Sequence, residues 1–175
     1  MPKSDKKENY MKIIEKRSRG YYLSSSLIIV IGIILDQLTK WLSAEFLTKV
    51  TTCPLIEGVL HLTYVENTGA AFGMMKDARW IFLSVSTVAI LAFGAYVYLG
   101  HAKNMLYLVS ISMVVSGGIG NMIDRLALGY VVDFIDFRLI NFAVFNGADS
   151  FVCVGAGLLV LALVREMIEE SKAKK

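Results

Sequence analysis

The sequence predicts an all-α membrane bundle of four transmembrane helices with a small β-sheet, or cradle, outside the membrane. Of its 175 residues, 55% are hydrophobic, a high share for a soluble domain of this size. Segments 80–100 and 104–123 carry no charged side chain, and Lys103 lies between them. Each segment can cross a bilayer core, which needs about 20 apolar residues. Two further apolar segments are each interrupted by one acid, Asp36 or Asp149. Four spans result.

The spans are expected at about 21–41, 80–100, 104–123 and 146–165, within a single domain of residues 21–167. A flexible basic tail (1–20) precedes this domain, and a second tail (168–175) follows it. A cleaved secretory signal peptide is an alternative for the first span, because a basic region precedes it. The segment continues through a polar, charged stretch instead of ending in small residues, and this favours an uncleaved helix.

The distribution of basic residues predicts the orientation. Eleven of the eighteen Lys and Arg residues lie in the two tails and in the short loop near His101, and Arg165 at the end of the last span is a twelfth on the same side, so both termini are expected in the cytoplasm. The long connections 42–78 and 126–145 then lie outside, where long loops usually carry function. Residues 59–65 and 131–137 are rich in strand formers and predict two strands that pair on the membrane face.

Three acids fall at the outer ends of three different spans: Asp36, Asp124 and Asp149. Placing an acid in a span costs about 2.5–3.5 kcal/mol on insertion scales. Each acid is therefore expected either to have a functional role or to form hydrogen bonds that hold two helices together. Asp36 has Lys40 four residues later, a spacing suited to a local ion pair. We therefore interpret Asp36 and Lys40 as structural.

The other two acids share a local pattern. Asn121 precedes Asp124 by three residues, and Asn146 precedes Asp149 by three, which places amide and carboxylate on one helix face. Two adjacent carboxylates can share a proton, because like charges at short range resist double ionisation. One can then activate a water molecule while the other protonates a carbonyl oxygen.

The remaining candidates are weaker. Asp133 and Asp136 lie in a predicted strand outside the membrane, where we expect water to keep both carboxylates near their ordinary acidity. Cys53 is expected in a loop and Cys153 in the last span, and His61 and His101 are expected to be ordinary loop residues. These residues form neither a disulfide framework nor a zinc site.

Small residues recur every four positions in the third span, at Ser112, Ser116 and Gly120, with Gly117 and Gly118 beside them. A nucleotide-binding loop would need a preceding strand. Small-residue helix packing is the better interpretation.

Five blocks, in order along the chain, closely resemble lipoprotein signal peptidase (signal peptidase II), a bacterial family of aspartic membrane proteases. They are Asp36-Gln37-Leu38-Thr39-Lys40, Asn67-Thr68-Gly69-Ala70-Ala71-Phe72-Gly73, Gly117-Gly118-Ile119-Gly120-Asn121-Met122-Ile123-Asp124-Arg125, Val131-Val132-Asp133-Phe134 and Phe145-Asn146-Gly147-Ala148-Asp149-Ser150.

The resemblance implies a substrate, a prolipoprotein cut just before a diacylglyceryl-modified cysteine. It implies catalytic roles for Asp124 and Asp149. It also implies a monomer in the bacterial cytoplasmic membrane, surrounded by lipid, with an active site near the extracytoplasmic face, no metal or cofactor and no nucleic-acid partner. The positions expected to contact the peptide are Asn67, Gly69, Asn121, Arg125 and Asn146.

The chain departs from the family pattern in two places: the tail before Tyr21 is longer than usual, and Gly147 stands where a larger aliphatic residue is common. Two other function classes are open from the residues alone. A small proton-coupled transporter could use Asp124 and Asp149 as a relay, although the acids lie near one surface and no broken helix pair is evident. A non-catalytic membrane assembly subunit is the third class.

Overall fold

The computed structural model describes residues 3–69, 78–100, 102 and 104–173, with side chains from residue 19 onward. Within these residues, four helices are long and apolar enough to cross a membrane, and a three-stranded antiparallel sheet accompanies them. The predicted fold class is therefore confirmed. In chain order the elements are α1 (Lys3–Leu47), β1 (Thr52–Ile56), β2 (Leu60–Asn67), α2 (Arg79–Tyr98), α3 (Met105–Ala127), β3 (Val131–Phe137), a short 3-10 helix (Arg138–Ile140) and α4 (Gly147–Ala173).

Helix α3 is the centre of the bundle. Half of its most apolar stretch is buried, against 11–17% for the other three spans, and α3 packs against α1, α2 and α4. The outer helices expose large apolar side chains such as Ile34, Val88 and Val160. A bilayer can cover these faces at no hydrophobic cost.

Small residues let the helix backbones approach closely. A Cβ atom on Gly117 would overlap the carbonyl oxygen of Ala148, and one on Gly155 would overlap the carbonyl oxygen of Ser110. The buried Ser112 hydroxyl bonds that of Ser25 on α1 at 2.8 Å. The predicted small-residue packing of the third span is therefore confirmed, and it brings the end of α3 against the start of α4.

The sheet has the order β1-β2-β3, and the two predicted strands correspond to β2 and β3. Strand β1 adds a hairpin partner to β2. The register pairs Asn67 with Val131, which places the end of β2 beside the start of β3, four residues after α3 ends. Phe145, just before α4, pairs with Ile135, so the last connection closes over the same sheet.

Helix α1 begins at Lys3, because residues 3–19 contain neither Gly nor Pro and are rich in helix-forming Lys and Glu; the flexibility expected for the tail stays a prediction. Two local expectations differ from the structure. His61 and Cys53 lie on strands and not in loops, and His61 is buried, accepting the backbone N–H of Gly58 at Nε2 (3.2 Å). His101 lies outside the described residues.

The close helix contact generates a prediction about stability. Gly117→Ala should lower the free energy of unfolding by about 1–3 kcal/mol, because the new methyl group must push α4 away. Gly157→Ala is the matched control, since a Cβ there meets no atom within 4 Å, and it should leave stability unchanged or slightly raised. Thermal unfolding of the purified proteins in detergent measures both, and equal midpoints would contradict the packing described.

Candidate active site

Strand β3 carries a buried carboxylate, Asp133, which is only 2% exposed. Its two oxygens accept hydrogen bonds from two amides. Asn67 Nδ2, at the end of β2, donates at 2.8 Å, and Asn146 Nδ2, just before α4, donates at 2.6 Å. The side chain is therefore fixed from two sides at the point where the sheet meets the helix bundle.

A second carboxylate, Asp149, lies in the first turn of α4. Its Oδ1 accepts from Asn121 Nδ2 on α3 at 2.7 Å, and its Oδ2 accepts from the backbone N–H of Asn146 at 3.3 Å. The Asn146 Oδ1 accepts in return from the backbone N–H of Asp149 at 2.9 Å. This reciprocal pair caps the N-terminus of α4.

Asn146 connects the two carboxylates. It is fully buried, and its Nδ2 donates to Asp133 Oδ1 and also to Asn121 Oδ1 (3.1 Å). The same residue holds the side chain of Asp133 and both the backbone and the side chain of Asp149. Asp133 and Asp149 thus share one rigid amide network of three asparagines, Asn67, Asn121 and Asn146.

Asp124 and Asp36 belong to a different cluster. Asp124 is 3% exposed and accepts from Gln37 Nε2 (2.9 Å), from Lys40 Nζ (3.0 Å) and from the backbone N–H of Val132 (3.1 Å). Asp36 also pairs with Lys40, at 2.9 Å, so the expected ion pair is present. One ammonium therefore joins the C-terminal ends of α1 and α3.

A cavity of about 600 Å³ opens beside the asparagine network. Asp133 and Asp149 are among the described residues that line it, and Asp124 is not. The other polar lining comes from Asn67, Asn121, Arg125 and Ser150. The apolar lining comes from Phe82, Val131, Phe142, Ala143, Val144, Phe145, Cys153 and Val154. The cavity thus has two carboxylates within predominantly apolar walls.

Arg125 contributes a positive charge to the cavity and ties down its edge. The guanidinium lies 4.9 Å from the centroid of the Phe82 ring, a distance suited to a cation–π contact, and donates to the carbonyl oxygen of Gly69 at 3.2 Å. The Gly69 N–H in turn donates to Asn67 Oδ1. These contacts hold the chain after β2 against the cavity; residues 70–73 of the second sequence block lie outside the described residues.

Burial changes the acidity of Asp133. Desolvation by burial, together with the negative charge of Asp149, raises the pKa of its carboxyl to about 6. The hydrogen bonds from Asn67 and Asn146 and the charge of Lys40 act in the opposite direction. The proton of Asp133 is therefore held far more strongly than that of an exposed carboxyl.

The expectation that water solvates Asp133 and Asp136 is wrong. Asp133 is buried, as described above. Asp136 is 9% exposed; its partial burial is outweighed by hydrogen bonds from Arg138 (2.9 Å) and Thr63 (2.8 Å), which lower its pKa. Strand β3 packs against α1 and α3, and the backbone N–H groups of Phe142 and Phe145 donate to its carbonyl oxygens. One local signal pointed to this burial, an acid inside the apolar run 131–135.

Among the described residues, no group of three or more His, Cys, Asp or Glu side chains is placed to hold a metal ion. Cys53 and Cys153 are both unpaired and on different elements. Gln37, which bonds both Asp36 and Asp124, was not singled out from the sequence. Its place beside two buried acids on α1 and α3 could only be found once the helices were assembled.

The fold and the site define a four-helix membrane protein with paired carboxylates in a largely apolar cavity. The chain belongs to the signal peptidase II family, because residues 28–165 match the sequence profile of that family. It is therefore a protease, and membership of this family decides against the transporter and assembly-subunit classes.

Individual relatives agree with this assignment. The chain is 47% identical over 132 residues to the lipoprotein signal peptidase of Caldanaerobacter subterraneus subsp. tengcongensis, covering 75% of this chain and 90% of that protein. It is 46% identical to the lipoprotein signal peptidase of Clostridioides difficile, covering 85% and 97%. A solved structure described as a bacterial membrane enzyme, determined by the in meso method, is similar with a TM-score of 0.76 at 33% identity, covering 82% of this chain and 89% of the other.

Proposed function

We propose that this chain removes the signal peptide from diacylglyceryl-modified prolipoproteins by cutting before the lipidated cysteine, with Asp133 and Asp149 as its catalytic pair. The observation that carries the proposal is that one buried amide, Asn146, bonds both carboxylates where they line a largely apolar cavity. The relatives named as lipoprotein signal peptidases support the substrate class.

The surroundings of the two carboxylates support different roles. Asp149 accepts two N–H groups at a helix N-terminus and lines the cavity, and we assign to it the proton taken from the attacking water. Asp133 is buried on a strand, and its raised pKa favours the protonated form. Water then attacks the scissile carbonyl carbon and loses a proton to Asp149, while the Asp133 proton passes to the carbonyl oxygen. When the tetrahedral intermediate collapses, a hydroxyl of the intermediate returns a proton to Asp133, and the proton held by Asp149 passes to the leaving nitrogen.

This pair differs from the Asp124–Asp149 pair that the sequence suggested. Asp124 is engaged by Lys40, Gln37 and the Val132 backbone, and it is not among the described residues that line the cavity. Its hydrogen bond to Val132 instead fixes the start of β3, one residue before Asp133. We propose that Asp124 supports the site and that Asp133 is the second catalytic acid.

Substrate binding follows from the lining of the cavity. Aromatic and aliphatic walls, including Phe82, Phe142 and Phe145, suit the apolar signal peptide and the acyl chains of the lipidated cysteine. We assign to Arg125 and the carbonyl of Gly69 the role of holding the peptide backbone near the carboxylates.

By the charge distribution of the loops, the cavity opens toward the extracytoplasmic face of the bacterial cytoplasmic membrane, and both termini are cytoplasmic. The enzyme acts as a monomer.

Cleavage of a purified precursor tests the substrate proposal. With a diacylglyceryl group on the precursor cysteine, the protein should yield a shortened lipoprotein and a free signal peptide, whereas the same precursor with a free thiol should be cut at least about a hundredfold more slowly, because acyl-chain burial contributes about 0.8 kcal/mol per methylene. Mass spectrometry of both products locates the cut. Equal rates on the two precursors would remove the lipid from the recognition step.

Asp→Asn substitutions test the catalytic pair, since Asn keeps the size of the side chain but cannot exchange a proton. Asp133→Asn and Asp149→Asn should each lower kcat by about a thousandfold or more, and the double variant should lose little beyond that, as expected for groups acting as one unit. Asp136→Asn, three residues along the same strand, is the matched control and should retain parental turnover per folded protein. Asp124→Asn should keep measurable cleavage; if it is inactive while Asp133→Asn is active, the pair is Asp124 and Asp149.

The acidity of Asp133 predicts a pH dependence. Its folded-state pKa is raised to about 6, so the carboxyl loses its proton as pH rises through about 6, and kcat/KM should fall on that side of the profile. Asn67→Ala removes a hydrogen bond that favours the ionised form, so this limb should move to higher pH. Glu66→Gln, the neighbouring exposed residue, is the control and should leave the limb in place. A limb that stays fixed or moves down in Asn67→Ala would refute the assignment of the proton to Asp133.

A further inference from the structure

Lys40 is a buried cation with three defined partners. It is 3% exposed, and its Nζ contacts Asp36 Oδ2 at 2.9 Å, Asp124 Oδ2 at 3.0 Å and Asn121 Oδ1 at 2.8 Å. An ammonium group has three N–H donors and no acceptor, so all of its hydrogen-bonding capacity is used. Two of the contacts are ion pairs, but the third is to a neutral amide that belongs to the cavity.

The contact with Asn121 determines which way its amide points. The Asn121 oxygen accepts from Lys40 and from Asn146 Nδ2, and its NH₂ group therefore faces Asp149 Oδ1, to which it donates at 2.7 Å. In the flipped orientation the NH₂ group would face the ammonium, donor against donor, and the oxygen would face a carboxylate. The positive charge of Lys40 thus prevents the flip.

We propose that Lys40 is a positioning residue for the catalytic pair. Through Asn121 it keeps an N–H donor directed at Asp149, and its positive charge acts on the two carboxylates although Lys40 is not among the described residues that line the cavity. This role goes beyond the local ion pair with Asp36. The inference rests on the proposed Asp133–Asp149 pair.

The charged groups that act on Asp133 come from three helices: Lys40 from α1, Arg125 from α3 and Asp149 from α4. Asp36 and Asp124 lie behind Lys40 as its ion-pair partners, and β2 contributes the neutral amide of Asn67. Of these charged groups, Lys40 acts to lower the pKa of Asp133 and Asp149 acts to raise it. Removing the charge of Lys40 should therefore favour the protonated form of Asp133.

The first experiment replaces Lys40 with Met, which keeps the length of the side chain and removes the charge and the donors. In a pH series of lipidated-precursor cleavage, Lys40→Met should lower kcat by about tenfold or more with KM within about threefold, because a misplaced catalytic group affects turnover more than binding. The basic limb of kcat/KM should also move upward by about half a pH unit or more. Lys49→Met is the matched control: Lys49 forms the same i, i+4 ion pair with Glu45, but both side chains are exposed, and its profile should match that of the parent.

A second variant keeps the proposal testable if Lys40→Met does not fold, since that change leaves two buried carboxylates without their counter-ion. Asp36→Asn with Lys40→Met removes one charge of each sign. The amide oxygen introduced at position 36 can still accept the backbone N–H of Ala148, which Asp36 Oδ1 accepts at 2.8 Å. Turnover should fall in this double variant as well, because Asn121 has lost its ammonium partner. The pH limb should move less than in Lys40→Met, because the net charge is unchanged.

The outcomes separate this proposal from the catalytic assignment. If the folded Lys40 variants have parental kcat and an unshifted pH profile and differ only in thermal stability, Lys40 is merely structural and the proposal is overturned, while inactivity of Asp133→Asn and Asp149→Asn would leave the catalytic pair intact. Substantial activity in either of those Asp→Asn variants would overturn the pair itself. A tenfold loss of kcat together with an upward shift of the limb supports the positioning role.

Discussion

The site depends on one buried ammonium. Lys40 lies near the C-terminal end of α1, between Asp36 and Asp124, with all three side chains almost fully excluded from solvent. Charges at such a place must be paired, because removing one partner of a buried pair costs about 3–5 kcal/mol. This requirement fixes α1 against α3, and Asp36 extends it to α4 by accepting the backbone N–H of Ala148 in the first turn of that helix. Three helix ends are thereby held at one level, and the asparagine network is built on top of them.

Close packing of the helices is what makes this arrangement possible. A Cβ on Gly120 would overlap the Asp36 carboxylate, so only glycine lets α1 bring that acid next to the α3 backbone. Gly117 does the same for α3 and the Ala148 carbonyl. The small residues of α3 therefore do more than allow close packing of the helices. In lipid, such packing favours helix association where the hydrophobic effect does not. The same small residues also set the distance at which Asn121 on α3 can reach Asp149 on α4.

The sequence was sufficient for the parts of the structure that periodicity and composition control. Apolar segments long enough to cross a bilayer, two of them uncharged and two interrupted by a single acid, predicted the four spans, and runs of strand-forming residues predicted β2 and β3. The environment of Asp133 could not be derived in the same way, because the side chains of a strand outside the membrane are expected to contact water. In the structure that strand is covered on both sides: β2 supplies Asn67, and the connection before α4 supplies Asn146. Burial created by segments far apart in the chain is not visible in a local pattern.

The N-x-x-D spacing was informative for Asn146 and Asp149, where the amide caps the helix that carries the acid. For Asn121 and Asp124 it was misleading, since the Asn121 amide donates to Asp149 and Asp124 faces Lys40 instead.

The different roles proposed for the two carboxylates follow from the elements that carry them. A helix N-terminus presents unpaired backbone N–H groups, and Asp149 occupies that position with Asn146 as its cap. A strand in a sheet uses its backbone N–H groups for pairing with its neighbours, so a buried acid on a strand must obtain its donors from side chains. Asp133 obtains two neutral amides, which are weaker at stabilising negative charge than an ammonium, and the burial of its carboxyl therefore prevails and raises its pKa. Placing one acid on α4 and the other on β3 gives two chemically identical side chains different surroundings at one cavity. Asn146 bonds both of them there, which is the arrangement that the proposed proton transfers require.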